Sequence, residues 1–275
     1  MKIGININLN RDIYAKASST FCSKLKKNNI DYLVCDNAAA YFSTKEIAPM
    51  NEVFDWCDIV VAFGGDGTML DTVRKMQKNL PILGINMGKI GFLTELDESE
   101  LDFAIKCLKS NQYVVENRTL LRTEIDNKEY FALNEIIVNR QDPCHISTFN
   151  IEIDNIKADS CRSDGILVST PTGSTAYSLS CNGPVLSPTV KALIINAICP
   201  HSLHSCPIVV DDDMKIKICT NSDDIRVIAD GEVIAKDKKG IELVIEKAQK
   251  SALFIRLKDE NFYLKLRKKL NYWGN

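Results

Sequence analysis

The segment Asp58-Ile59-Val60-Val61-Ala62-Phe63-Gly64-Gly65-Asp66-Gly67-Thr68 holds a strand, a turn and the opening of a helix in immediate succession. Ile59 to Phe63 is a continuous apolar run, without the polar alternation of a half-solvated strand. It therefore reads as a strand covered on both faces. The glycines that follow let the backbone turn tightly, and Met69, Leu70, Val73 and Met76 then mark one face of a helix. A doubly buried strand feeding directly into a helix is the building unit of a parallel sheet with helices on its faces.

The flanking sequence repeats that unit. Lys2 to Leu9 reads as a strand, and Ile13, Ala17, Phe21 and Leu25 recur at four-residue steps along one helical face. Tyr32-Leu33-Val34-Cys35 and Pro81 to Asn86 are further strands, and Leu101, Ile105 and Leu108 predict another amphipathic helix. Near residue 113 the period changes to two, in Leu121/Thr123/Ile125, Ile151/Ile153, Ile216/Ile218, Leu243/Ile245 and Leu253/Ile255/Leu257. The expected fold is an α/β N-terminal domain, a parallel sheet with helices on both faces, followed by a mainly β, sandwich-like C-terminal domain. The expected boundaries are 1–113 for the α/β domain, 114–250 for the β-rich domain, and 251–275 for a C-terminal segment packing back on the first domain. The basic tail from Lys265 to Lys269 reads as a solvated face.

Composition narrows the partners. With 34 Lys and Arg against 36 Asp and Glu, the net charge of −2 offers little attraction for nucleic acid or an anionic membrane. No apolar run approaches the ~20 residues of a membrane span, and Met1 to Asn6 is too short and too polar for a signal peptide. A cytoplasmic protein is expected, and ten cysteines without a C-x-x-C pair read as reduced thiols.

Two segments carry chemistry. Gly64 to Thr68 sits where a helix N-terminus offers unpaired N–H groups and a positive dipole end, both suited to phosphate. Asp66 among those donors could act as a base or hold a metal; the bland alternative is a strand-to-helix turn with Asp66 as its cap. The loop is neither G-x-x-x-x-G-K-[ST] nor G-x-G-x-x-G, so a standard P-loop NTPase and a standard dehydrogenase both lose ground. The second segment runs from Arg162 to Ser180, a short strand entering a loop dense in hydroxyls and small residues. Tyr177 offers a flat apolar plate there. Arg162 and Asp164 form either a local ion pair or a donor fork and an acceptor for a ligand. Cys199, His201, His204 and Cys206 tempt a zinc reading, but one short strand would point them to opposite faces, and no metal site is expected.

Gly64-Gly65-Asp66-Gly67-Thr68, Asn134-Glu135 and the run Ser163 to Tyr177 together resemble the NAD kinase family. The resemblance extends through Gly88-Lys89-Ile90-Gly91-Phe92-Leu93 and Pro200-His201-Ser202-Leu203, and covers essentially the whole chain. It implies that Asp66 is the proton acceptor, with Gly67 contacting the dinucleotide. It also implies that Asn134, Glu135, Arg162, Asp164, Thr175, Ala176, Tyr177, Ser178, Leu179 and Ser180 bind NAD, with His145 close to the ligand. The implied reaction moves a phosphoryl group from ATP or polyphosphate to the adenosine-ribose 2′-hydroxyl of NAD, giving NADP, with Mg²⁺ arriving on the ATP and the subunits assembled as a homo-oligomer. The rivals are a related lipid kinase and a non-catalytic dinucleotide-binding sensor. Two departures stand out: Ser180-Cys181-Asn182-Gly183-Pro184 where the family often has S-A-G-G-P, and Cys206 where it commonly has Arg.

Overall fold

A computed structural model describes all residues except 89–90, 143, 203–204, 259–260 and 274–275. The chain forms two units, one of Met1–Asn117 with Ala252–Asn275 and one of Arg118–Ser251.

In the first unit, β1 (Lys2–Ile7), β2 (Asp31–Cys35), β3 (Ile47–Ala48), β4 (Ile59–Gly64) and β5 (Pro81–Asn86) pair in parallel in the order β5-β4-β1-β2-β3. A short strand β6 (Leu96–Asp97) lies beside the end of β5. Four α-helices connect the strands: α1 (Lys16–Lys27), α2 (Met50–Trp56), α3 (Asp66–Lys75) and α4 (Leu101–Lys109). On one face Ile3, Ile5, Ile7, Val61, Phe63 and Leu83 pack with Phe21 and Leu25 of α1 and Leu101, Ile105 and Leu108 of α4. Phe63, fully buried, meets the edge of Phe21 at a centroid distance of 5.5 Å. Each such side chain contributes roughly 1.5–3 kcal/mol by leaving water. On the other face glycines admit the helices closely. A Cβ on Gly4 would lie 2.8 Å from Cys57 Sγ, and one on Gly84 would lie 2.8 Å from Met69 Sδ. Both faces of β4 are covered, which is what its unbroken apolar run requires.

The helical spacing begins one turn too early at Ile13, which is 63% exposed in a short 3₁₀ turn. Tyr14 and Ala15 take φ of 58° and 51°, a left-handed pair that separates that turn from α1.

The second unit is built from β7 (Val114–Ile125, starting in the first unit), β8 (Lys128–Ala132), β9 (Glu135–Arg140), β10 (Ser147–Ile153), β11 (Ile156–Ser163) and β12 (Gly165–Ser169). A one-turn helix α5 (Tyr177–Ser180) precedes β13 (Ala192–Ile198), β14 (Ile208–Asp211), β15 (Ile216–Thr220), β16 (Ile225–Ala229), β17 (Glu232–Lys238) and β18 (Ile241–Arg256). Within it the strands form two layers, β11-β10-β15-β18-β7-β8 and the antiparallel β14-β13-β12-β9-β16-β17. Leu121, Phe149, Ile151, Ile216, Ile218 and Leu243 of the first layer share one core with Ile136, Val138, Ile166, Leu193 and Val227 of the second. The period-two segments supply the inward faces of this sandwich. All ten cysteines are free thiols, and Cys22, Cys35, Cys57, Cys107 and Cys161 are buried.

At its end β18 enters the first unit, where Leu253 and Phe254 pair in parallel with Pro81 and Ile82 of β5. The alternation Leu253/Ile255/Leu257, read with the β-rich half, therefore ends as a strand of the parallel sheet. Period two identifies a strand but not the sheet it joins, and here Ala252, Phe254 and Ile255 are all buried. Helix α6 (Phe262–Trp273) follows. The solvated-face reading of the basic tail is corrected at two positions: Lys265 donates to the Thr94 carbonyl at 2.8 Å, and Lys269 pairs with Asp66 at 3.2 Å.

Candidate functional site

One candidate site is the turn from β4 into α3, in the first unit. A Cβ on Gly64 would stand 2.1 Å from Thr68 Oγ1, so only glycine lets the strand end so close to the helix. Gly65 is the N-cap of α3, and Asp66 is already inside the helix. Its carboxylate caps nothing, which overturns the capping alternative. Instead Oδ2 accepts the Phe92 N–H and Oδ1 the Leu93 N–H, both at 2.9 Å. Lys269 donates to Oδ2 at 3.2 Å. Cβ atoms added to Gly65 or Gly67 would meet nothing within 4 Å, so the first turn of α3 presents bare backbone to open space. Behind it the helix is fixed to β1 by Asn6, which donates to Thr72 Oγ1 at 2.8 Å.

A second candidate site lies within the β sandwich, at the start of β9 and the end of β12. Leu133, Asn134 and Glu135 turn their N–H groups onto the Asp230 carboxylate at 2.7, 2.8 and 3.2 Å. Asp230 and Gly231 take φ of 47° and 81°, the tandem left-handed turn that an Asp-Gly pair favours between β16 and β17. The loop after β12 lies against the same residues. Thr170 N–H and Ser169 Oγ donate to the Asn134 carbonyl at 2.9 and 3.1 Å, and Gly173 passes so near that a Cβ would sit 2.2 Å from that oxygen. Thr175, Ala176, Tyr177, Ser178, Leu179 and Ser180 continue into α5. Thr175 and Ser178 are buried, while Tyr177 is exposed. Asn182 adopts φ of 60°, so the turn after α5 keeps its left-handed residue despite the altered sequence.

Glu135 is the unusual titratable group. It is 7% exposed, and its Oε2 has no hydrogen-bond partner. Burial, reinforced by the Asp230 charge and opposed by the Tyr177 backbone amide, pushes its carboxyl up to about 8. At neutral pH it is mostly protonated, and a neutral buried carboxyl can both donate to and accept from a ligand hydroxyl.

Asp164 does not pair with Arg162. It accepts Arg140 Nε at 3.0 Å, and Arg140 also donates to the carbonyls of Asp142 and His145 at 2.7 and 3.1 Å. Arg140 stands across the β9–β12 pair from Asp164, its N–H donating to the Asp164 carbonyl at 3.0 Å, whereas Arg162, near the end of β11, is exposed. His145 is exposed, with its ring 2.5 Å from Asp142. The structure thus brings Asn134, Glu135 and Thr175 to Ser180 together. Arg162 and His145 share no hydrogen bond with that cluster among the described residues.

Sequence reasoning missed Asp230, Arg140 and Lys269. The Asp-Gly dipeptide at 230–231 is a legible hairpin signal, but no local pattern announces that its carboxylate holds residues 133–135. Of the zinc set, Cys199 and Cys206 are exposed, and His204 lies outside the described residues, as do Lys89, Ile90 and Leu203 of the resemblance. Among the described residues Asp211, Asp212 and Asp213 bring carboxylates within 4.8 Å of one another, and Lys247 already neutralises two of them.

The ATP-NAD kinase N-terminal domain family matches residues 11–113, and the ATP-NAD kinase C-terminal domain family matches residues 133–257. An NAD kinase of Caldicellulosiruptor saccharolyticus is 38% identical over 276 residues, spanning 98% of this chain and 99% of the relative. An NAD kinase of Carboxydothermus hydrogenoformans is 40% identical over 233 residues, 82% of this chain and 83% of the relative. Among solved structures, an NAD kinase from Archaeoglobus fulgidus in complex with ATP superposes with a TM-score of 0.81 at 27% identity, covering 98% of this chain and 99% of that one. A yeast NADH kinase complexed with NADH shares the fold with a TM-score of 0.90 at 24% identity, covering 99% and 88%. With both domain families matched and full-length relatives well above 30% identity, the chain belongs to the NAD kinase family of phosphotransferases.

Proposed function

We propose that this NAD kinase carries the terminal phosphoryl group of ATP to the 2′-hydroxyl on the adenosine ribose of NAD, with Asp66 as the proton acceptor. One observation carries the assignment of Asp66. Its carboxylate is turned away from its own helix and held by the amides of Phe92 and Leu93, beside a helix N-terminus whose backbone is bare. As the new phosphorus–oxygen bond forms, the hydroxyl proton passes to Asp66, and the bond to the ADP leaving group breaks. Charge on the transferring group is met by the N–H groups of the first turn of α3. A divalent cation, Mg²⁺ in this reading, neutralises phosphate charge and arrives on the triphosphate; with three of its acceptor positions already filled, Asp66 is poorly suited to hold it.

The dinucleotide is assigned to Asn134, Glu135, Asp164 and Thr175 to Ser180, with Arg162 and His145 as peripheral contacts and Gly67 on the Asp66 side. The placing of Asn134 and Thr175 to Ser180 with Glu135, whose buried Oε2 has no hydrogen-bond partner among the described residues, supports this. Among the described residues no helix is long and apolar enough to cross a membrane. A cytoplasmic location, assembly as a homo-oligomer and polyphosphate as a second donor complete the reading.

The test is NADP formation from NAD, ATP and Mg²⁺ by the wild-type chain and Asp66→Asn. The variant should lose roughly 10²–10⁴ in kcat while NAD affinity, read by calorimetry, changes little. A variant turning over at near-native rate would remove Asp66 from the chemistry.

A further inference from the structure

We infer that Lys269 is a positioning residue for Asp66, fixing which carboxylate oxygen receives the proton; this rests on the reading of Asp66 as the base. Phe262, Lys265 and Lys269 fall at i, i+3 and i+7, on one face of α6. That face is docked along residues 92–94. Phe262 packs on Phe92 with ring centroids 6.3 Å apart, and Lys265 donates to the Thr94 carbonyl at 2.8 Å. Lys269 stands 4.0 Å from the centroid of the Phe92 ring and donates to Asp66 Oδ2. The segment whose amides hold the carboxylate is therefore the segment on which α6 rests.

A lysine with a free choice extends its ammonium into water. Lys269 does not: only 16% of its side chain is exposed, with an aromatic face on one side and a carboxylate on the other. An ionised donor and an ionised acceptor at this range make a directional, charge-assisted bond.

The consequence follows from counting acceptor positions. A carboxylate offers about four lone pairs, two on each oxygen. Among the described residues, Oδ2 is saturated by Phe92 N–H and Lys269, whereas Oδ1 is engaged by Leu93 N–H alone. The vacant lone pair is on Oδ1. Beside it is Gly91, where a Cβ would stand 2.2 Å from Oδ1, so the absence of a side chain keeps that oxygen approachable. Lys269 thus blocks one oxygen, holds the carboxylate plane, and leaves the other oxygen for the substrate hydroxyl. Without it the group can pivot, and a base displaced by about 1 Å can lose on the order of 10²-fold in rate.

The experiment is a double-mutant cycle in the full chain, with NAD, ATP and Mg²⁺ saturating: wild type, Asp66→Asn, Lys269→Met, the double variant, and Lys269→Arg. Lys269→Met should lower kcat by about tenfold to a hundredfold with KM for NAD unchanged within about twofold. Lys269→Arg should restore most of the rate. Because Lys269 acts through Asp66, the double variant should be no slower than Asp66→Asn. Multiplying losses, or a rise in KM for ATP, would instead make Lys269 a phosphate contact and overturn the inference, as would a wild-type kcat in Lys269→Met. Lys265→Met, on the same helix face, controls for undocking of α6; an equal loss of kcat there would show that the helix matters and Lys269 in particular does not. Failure of the underlying reading is separate, since it appears as near-native turnover in the single Asp66→Asn variant.

Discussion

Glu135→Gln should remove a stability loss that the wild-type protein suffers as pH rises. The folded carboxyl is pushed up to about 8, against 4.5 for an ordinary glutamate. Between those values the folded state keeps a proton that the unfolded chain has released, so raising the pH favours unfolding. The stabilising effect of the protonated group is complete below about 4.5, erodes through the window, and is gone above about 8. At ~1.4 kcal/mol per pH unit the window is worth about 5 kcal/mol, an upper figure because a denatured chain and local relaxation both soften the contrast. Burial is the larger cause and the Asp230 charge the second, and Asp230 is the member of the pair whose charge is compensated by three backbone amides. Gln keeps the shape of the side chain and cannot ionise. The assay is urea unfolding of both proteins at pH 5 and pH 8.5. Between those pH values the stability difference should move by roughly 3–5 kcal/mol in favour of Gln, with unchanged m-values. Parallel pH profiles for the two proteins would refute the idea that Glu135 is held neutral in the folded state.

Asp164→Ala should weaken NAD binding by about tenfold or more and also lower stability by about 1–3 kcal/mol, because it unpairs the largely buried Arg140 guanidinium. Calorimetry and a thermal melt read the two effects, and Arg140→Met should reproduce both if the pair works as one unit; unchanged affinity in Asp164→Ala would take it out of the site. Gly173→Ala, which drives a methyl against the Asn134 carbonyl, should cost about 3 kcal/mol and several degrees of melting temperature. A melting temperature equal to wild type would mean that the loop gives way freely.

The fold was legible wherever a residue's fate depends on its neighbours in sequence. The unbroken run Ile59 to Phe63 implies two covered faces, and the alternation at Ile216/Ile218 implies one. What escaped depends on partners far along the chain. Leu253/Ile255/Leu257 is visibly a strand, yet its place beside Pro81 and Ile82 is set by a pairing across 172 positions, from Leu253 to Pro81. The site divides in the same way. Asp66 and Glu135 stand in quotable motifs, but what surrounds the site residues does not: Asp230 reaches residues 133–135 from a hairpin, and Arg140 rather than Arg162, two positions away, takes Asp164. Lys269 is hidden most effectively, because a run of lysines on a terminal helix has the composition of a solvated surface.

The bond between Lys269 and Asp66 joins positions 203 residues apart. On a ribosome adding ~5–20 residues per second, that interval lasts roughly 10–40 s. The β sandwich, a single continuous stretch from Arg118 to Ser251, is wholly synthesised before the last strand and helix of the first unit exist. A nascent chain can thus complete the half that surrounds Glu135 while the half that surrounds Asp66 still waits for its closing segment. The order of synthesis places the lysine after the whole sandwich, so for that interval a nascent chain carries the glycine-rich turn without the cation that pins its aspartate.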